Sequence, residues 1–177
     1  MHSIDGRFTI VFNGEIYNYR ELREELRKLG RIFRSDSDTE VLLNCWEVWG
    51  KACLARLQGM FAFAIFDHDR RQLTCVRDAF GIKPLYYSLS DRGVAFASEI
   101  SAVSTLLSTP LRLNLQRAHD YLVYGGYDDD CETFVKGIHH LLPAHVMVLE
   151  LGDDGRLASP RISRWWWPDI GEHNDLT

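Results

Sequence analysis

The sequence predicts a mixed α/β layered domain, with helices packed on a largely antiparallel sheet. Three observations carry that expectation. A β-branched and aromatic run near the N-terminus is followed by two segments with helix-capping grammar. A nearly continuous apolar run, GMFAFAIF, then opens a series of short strand-like segments separated by turn residues. The length of 177 residues fits one domain, and the 46% apolar content is enough for a core and too high for disorder.

The elements follow in order. Residues 7–12 (RFTIVF) read as a strand that stops at a tight Asn13-Gly14 turn. Asn18 opens a helix: Glu21 completes a capping box, Leu22, Leu26 and Leu29 share a face, and Gly30 closes it. Ser37 and Glu40 repeat the box for a second helix, with Val41, Leu42, Cys45 and Trp49 inward and Gly50 as its stop. Residues 60–66 read as a strand buried on both faces, and Asp67-His68-Asp69-Arg70 turns the chain into another at 73–77. The loop Phe80-Gly81-Ile82-Lys83-Pro84 leads to a strand at 85–88, a turn at Asp91-Arg92-Gly93 and a strand at 94–97. Helices are expected at 99–107 and, behind Asn114 as cap, at 116–123. After Gly125 the character changes. Gly125-Gly126, Asp128-Asp129-Asp130 and a turn from Gly152 to Gly155 surround one clear strand, 145–151. Trp165-Trp166-Trp167 reads as a buried or domain-contacting strand, or as an interface anchor.

Composition excludes several classes. With 20 basic against 25 acidic side chains the net charge is −5, which argues against a nucleic-acid partner. The longest apolar run, 59–66, falls far short of the roughly 20 residues of a membrane span. No charged-then-apolar leader precedes it, so a cytoplasmic location is expected. Cys45, Cys53, Cys75 and Cys131 include no C-x-x-C pair and read as buried, inert thiols. No metal site is expected, because zinc needs paired ligands at short spacing and His139-His140 has no such Cys partner nearby. The Asp128–Asp130 run lacks the alternating ligands of a calcium loop and reads as solvated.

Two constellations could carry chemistry. Asn13-Gly14-Glu15, at a strand-to-helix junction, could aim backbone N–H groups and an amide at a developing oxyanion, or could be an ordinary turn. Ser37-Asp38-Thr39-Glu40 could hold a substrate ammonium on Asp38, or could only cap a helix; the cap would itself fix where Asp38 points. Arg77-Asp78, with Gly81, Lys83 and Pro84, reads as a structural charged pair in a rigid turn, since no Gly-rich loop precedes a helix there. His119, His139, His140 and His145 stand in no triad motif.

From Phe12-Asn13-Gly14-Glu15-Ile16-Tyr17-Asn18 onward the chain resembles a known family. The likeness continues through Ser37-Asp38-Thr39-Glu40-Val41-Leu42, Leu57-Gln58-Gly59-Met60-Phe61-Ala62-Phe63 and Arg77-Asp78-Ala79-Phe80-Gly81-Ile82-Lys83-Pro84-Leu85-Tyr86-Tyr87. Phe96-Ala97-Ser98-Glu99-Ile100 and Glu132-Thr133-Phe134-Val135-Lys136-Gly137-Ile138 extend it, so that motifs in family order cover residues 8–168. They resemble the class II glutamine amidotransferase domain of glutamine-hydrolysing asparagine synthetases. The resemblance implies a four-layer α/β/β/α N-terminal-nucleophile hydrolase sandwich, here missing its first strands. Residues 1–125 would be the glutaminase core, and 126–177 the rest of that domain and the start of a linker to a synthetase domain. In the family an N-terminal Cys attacks the side-chain amide of glutamine with its own α-amino group as base. The ammonia released passes to an ATP-using domain that converts aspartate to asparagine. By matching motif, Asn13 and Gly14 would form the oxyanion hole, Asn13, Gly14 and Glu15 would line the glutamine site, and Asp38 would hold the glutamine α-ammonium.

The departures shape the remaining expectations. Met1-His2-Ser3 stands where the family has a region well inside the domain, so the nucleophile and the glutamine-carboxylate-binding Arg segment are expected to be missing. No Ser-Gly-Gly-x-Asp-Ser loop occurs, so ATP and Mg belong to an absent synthetase domain and this chain needs no cofactor. Pro143-Ala144-His145 stands where Gly before His is usual, and the Trp run where Tyr-Trp-Asp is usual. The chain alone is expected to be inactive within an enzyme family, and to self-associate, as a homodimer or larger species, through uncovered strands. The alternatives are a non-catalytic domain that binds glutamine or a partner, and an amidotransferase of exopolysaccharide or β-lactam assembly.

Overall fold

The structure, a computed structural model, describes residues 1–90, 93–107, 110–126, 130–152 and 156–169. Its order is β1 (Phe8–Ile16), α1 (Tyr19–Lys28), α2 (Asp38–Trp49), a 3₁₀ segment (Gly50–Arg56), β2 (Gly59–Asp67), β3 (Gln72–Arg77), β4 (Tyr86–Ser90), β5 (Gly93–Ala97), α3 (Ile100–Leu106), α4 (Leu115–Tyr124), β6 (His139–His140), β7 (His145–Glu150) and β8 (Arg161–Arg164). Two antiparallel sheets result, one of five strands in the order β1-β2-β3-β7-β8 and one of three in the order β5-β4-β6.

The apolar run in β2 explains the layering. Its odd positions, Phe61, Phe63 and Ile65, join the core with Leu22 and Leu26 of α1 and Val41, Leu42 and Cys45 of α2. Its even positions, Ala62 and Ala64, turn to the second core with Leu85 and Tyr87 of the small sheet and Met147 and Leu149 of β7. Large side chains fill the helix side and small ones allow sheet to approach sheet. With α3 against β4 and β5 on the far side, the layers read helix, sheet, sheet, helix. Burying each of Phe61 and Phe63 stabilises this arrangement by roughly 1.5–3 kcal/mol.

Several expectations are corrected. β1 does not end in a turn at Asn13-Gly14 but continues to Ile16, with Gly14 opposite Phe61 and Glu15 opposite Met60. The ladder and the complete burial of Ile16 outweigh the local turn preference of Asn-Gly. Glycine is needed there for a different reason: a Cβ on Gly14 would lie 2.3 Å from the Met60 carbonyl oxygen. Asn18 makes no cap hydrogen bond. Instead its amide donates to the Arg56 carbonyl and accepts from Gln58 N–H, tying the start of α1 to the approach to β2. Leu29 ends α1 as an exposed C-cap and does not join the core. Ser37 does cap α2 by accepting from Thr39 N–H, but Glu40 reaches past it to the N–H groups of Arg34 and Ser35.

The C-terminal region holds more strand than one. β6 and β8 flank β7 in sequence, and β8 adds the last strand of the large sheet. The Trp run follows β8 and is not itself a strand. Trp165 donates its indole N–H to the Arg77 carbonyl and stacks on Phe61, whereas Trp167 is exposed beneath the Arg164 guanidinium. The Asp91-Arg92 turn, Asp128-Asp129 and the tip of the Gly152–Gly155 turn lie outside the described residues. Among the described residues no helix is long and apolar enough to cross a membrane.

Candidate active site

The free edge of β1 organises the site. In an antiparallel ladder the N–H and C=O of one residue point to the same side, alternating along the strand. Phe61 gives both to Asp78: its N–H donates to the Asp78 carboxylate at 3.2 Å, and its C=O accepts from Asp78 N–H at 2.8 Å. Its partner across the ladder, Gly14, therefore faces away from β2 with its N–H on the open edge. The even residues on either side behave accordingly. Ile10 N–H donates outward to the Met1 carbonyl, and Ile16 N–H donates outward to Asp38 Oδ2 at 3.1 Å. Between these two covered points the backbone N–H groups of Phe12 and Gly14 line an uncovered stretch.

The odd residues supply side chains to the opposite face from Phe12 and Ile16. Asn13 reaches across to the small sheet, donating from Nδ2 to Ser98 Oγ at 3.0 Å just beyond the end of β5. Both residues line a cavity of about 420 Å³ between the sheets, together with Val11, Ala62 and Phe96. Glu15 shares the face of Asn13 and is exposed. Asp38 starts α2, where the Ser37 cap fixes the helix entry, and its second oxygen is 3.5 Å from Thr39 Oγ1. The carboxylate thus keeps acceptor capacity for a cation at the end of β1. Both structural and functional readings of Ser37-Asp38 are compatible, since the cap sets the position of the acid.

Arg77-Asp78 is the scaffold behind this edge. Asp78, 1% exposed, accepts from the N–H groups of Phe61, Phe80, Ile82 and Lys83. The Arg77 guanidinium donates to the carbonyls of Gly81, Lys83 and Leu141. The structural reading of this pair holds, and it has a consequence for the site: Asp78 holds Phe61, and Phe61 leaves Gly14 facing outward. The sequence reading gives Ser98 no role and Asp78 only a structural one, with no link to the site. α3 takes Glu99 as N-cap without a cap hydrogen bond, and Ser98, just before it, accepts from Asn13.

None of the thiols joins this edge. Cys45, Cys53 and Cys75 are buried, and burial pushes the Cys45 and Cys75 thiols up to about 12 and raises Cys53 as well. Cys131 corrects two expectations. It is only partly buried, and it does stand beside His139, with Glu132 as a third neighbour.

The layers are those of the α/β/β/α N-terminal-nucleophile hydrolase sandwich that the motifs imply. Solved structures agree on the fold. A glutamine phosphoribosylpyrophosphate amidotransferase from B. subtilis superposes with a TM-score of 0.60 at 21% identity, over 93% of this chain and 30% of its own. The chain belongs to the glutamine amidotransferase domain family, which matches residues 1–166. It is 35% identical over 168 residues to the asparagine synthetase [glutamine-hydrolyzing] 3 of Bacillus subtilis, covering 95% of this chain and 26% of that protein. It is 53% identical over 139 residues to a putative asparagine synthetase [glutamine-hydrolyzing] of Mycobacterium bovis, covering 76% of this chain and 21% of that protein. The chain therefore spans about a quarter or less of the length of these curated relatives.

Proposed function

We propose that this domain hydrolyses glutamine and supplies the ammonia to a synthetase domain of the same polypeptide, where ATP and Mg activate aspartate for conversion to asparagine. The names of the relatives support that assignment, and one observation in this chain carries it: the open edge of β1 presents Gly14 N–H and, two residues on, the Asp38 carboxylate. Two strand residues separate these points by about 7 Å. An extended glutamine has about 5 Å between its amide carbon and its α-nitrogen. A hydrogen bond of roughly 3 Å at each end, inclined to the strand, makes up the difference.

In this reading a thiolate adds to the amide carbon, and the resulting oxyanion is met by Gly14 N–H and Asn13 Nδ2. Asp38 holds the α-ammonium, and Glu15 lines the same pocket. The carbon–nitrogen bond breaks, ammonia leaves, and water hydrolyses the γ-glutamyl thioester. The thiolate is not one of the four cysteines of this chain. Three are buried with raised thiols. Cys131 adjoins β6, separated by β4 from the β5 side that carries Ser98, hence by two strand spacings of about 4.8 Å.

Two outcomes test this. The 177-residue chain alone is expected to release no ammonia from glutamine; turnover abolished by alkylating its cysteines would overturn the exclusion of these thiols. In a complete polypeptide that carries an N-terminal Cys nucleophile ahead of this domain and a synthetase domain after it, Asp38→Asn is expected to lower glutamine-dependent amide formation more than tenfold. A hydrogen bond to a charged group is worth about 1.5–3 kcal/mol, which sets that scale. Ammonia-dependent synthesis should be unchanged, and an equal loss with both nitrogen donors would make Asp38 purely structural.

A further inference from the structure

On the far edge of the small sheet, Cys131, Glu132 and His139 bring a sulfur, a carboxylate oxygen and a ring nitrogen within 4.8 Å of one another. The glutamine site uses none of them. Two backbone contacts hold the group together: Glu132 bridges His139 in antiparallel fashion, and His140 N–H donates to the Cys131 carbonyl at 2.9 Å. The ligands therefore come from two paired segments and not from a loose loop.

Each side chain is also oriented. The Tyr87 ring lies 5.6 Å from that of His139, and the pair is fixed by the register of β4 with β6. Asn114 Nδ2 donates to Glu132 Oε2 at 3.2 Å, which leaves Oε1 directed at the histidine. The independent sign of a missing ligand is His139 Nδ1. It is buried and makes no hydrogen bond, although Glu132 Oε1 is only 3.2 Å away. A buried ring nitrogen without a bond is costly unless something else engages it.

We propose that Cys131, Glu132 and His139 form a three-ligand site for a thiophilic divalent cation of the zinc class. Thiolate, imidazole and carboxylate are the donor types that zinc takes, and three protein ligands leave a fourth tetrahedral position for water. The ligation is balanced by loss of the Cys131 thiol proton to solvent as the sulfur–metal bond forms. Burial, and then the charges of Glu132 and Asp130, push that thiol above its ordinary value. A cation of charge +2 reverses that shift. The site lies apart from the β1 edge, so its role is to pin the 131–140 segment onto the small sheet.

Cobalt(II) is the probe, because thiolate ligation gives it an intense charge-transfer absorption and tetrahedral geometry strengthens its visible bands. Titration of the chain is expected to give one equivalent bound with both signatures, displaced by Zn²⁺. Cys131→Ser should abolish the charge-transfer band, and His139→Ala should weaken binding by more than about tenfold, as loss of even an outer-shell partner can. The control is Cys75→Ala, which should keep both signatures. Circular dichroism establishes that each variant is folded. Absence of the charge-transfer band in the unmodified chain, or its persistence in Cys131→Ser, would overturn the proposal without reference to any variant's activity.

Discussion

Asn13→Ala is expected to lower the glutamine-dependent rate of the complete polypeptide by about 10²–10³, the loss seen when one oxyanion-hole donor is removed. The effect should fall on kcat, because in its proposed role Asn13 meets charge that develops only in the tetrahedral intermediate. Ammonia-dependent synthesis should be untouched, and so should stability, since the side chain of Asn13 is only partly buried and makes one hydrogen bond across the sheets. Ser98 gives the experiment a second arm. Its Oγ holds Asn13 Nδ2, so Ser98→Ala loosens the amide without removing it and should cost less than Asn13→Ala. If Asn13→Ala raised KM and left kcat unchanged, the residue would bind ground state and transition state equally and would not be an oxyanion donor.

The strands and helices that bury something were legible in the sequence, and the apolar run of β2 is the clearest case. Its unbroken hydrophobicity predicts burial on both faces, and the alternation of phenylalanine with alanine within it decides which face meets helices. β8 was not legible for the opposite reason: all four of its residues are exposed, so no burial pattern marks them. Asn13-Gly14 misled because a turn preference is local, whereas the nine-residue pairing of β1 with β2 is not. The proposed donors and acid of the site were legible by residue type and motif. Their common edge was not, because Asp38 meets Ile16 across 22 residues of sequence. The grouping of Cys131 with His139 escaped for a similar reason. Eight residues apart, they become neighbours only because a turn through Gly137 folds one segment back on the other.

Asp78 links stability to the site, and Asp78→Ala is expected to destabilise the domain by about 3–5 kcal/mol, because each buried N–H left without an acceptor costs about 1–3 kcal/mol and relaxation recovers part of that. Four backbone N–H groups lose their acceptor at once, and with the residue 1% exposed little water can replace it. For a domain of this size that corresponds to a fall in melting temperature on the order of 10 °C. Asp78→Asn discriminates between charge and geometry. Oδ1 serves Phe80 and Ile82 while Oδ2 serves Phe61 and Lys83, so an amide must set its NH₂ against two N–H groups whichever way it turns. The isosteric variant should therefore also be destabilised, though less than the alanine. The consequence for catalysis is specific. When Phe61 is released it can turn its N–H and C=O toward β1, and the ladder that leaves Gly14 N–H on the free edge is no longer enforced. Below its melting temperature, folded Asp78→Asn should lose glutamine-dependent rate more than ammonia-dependent rate. A variant as stable as the parent by denaturant unfolding, with both rates intact, would show that the hub neither holds the fold nor sets the oxyanion donor.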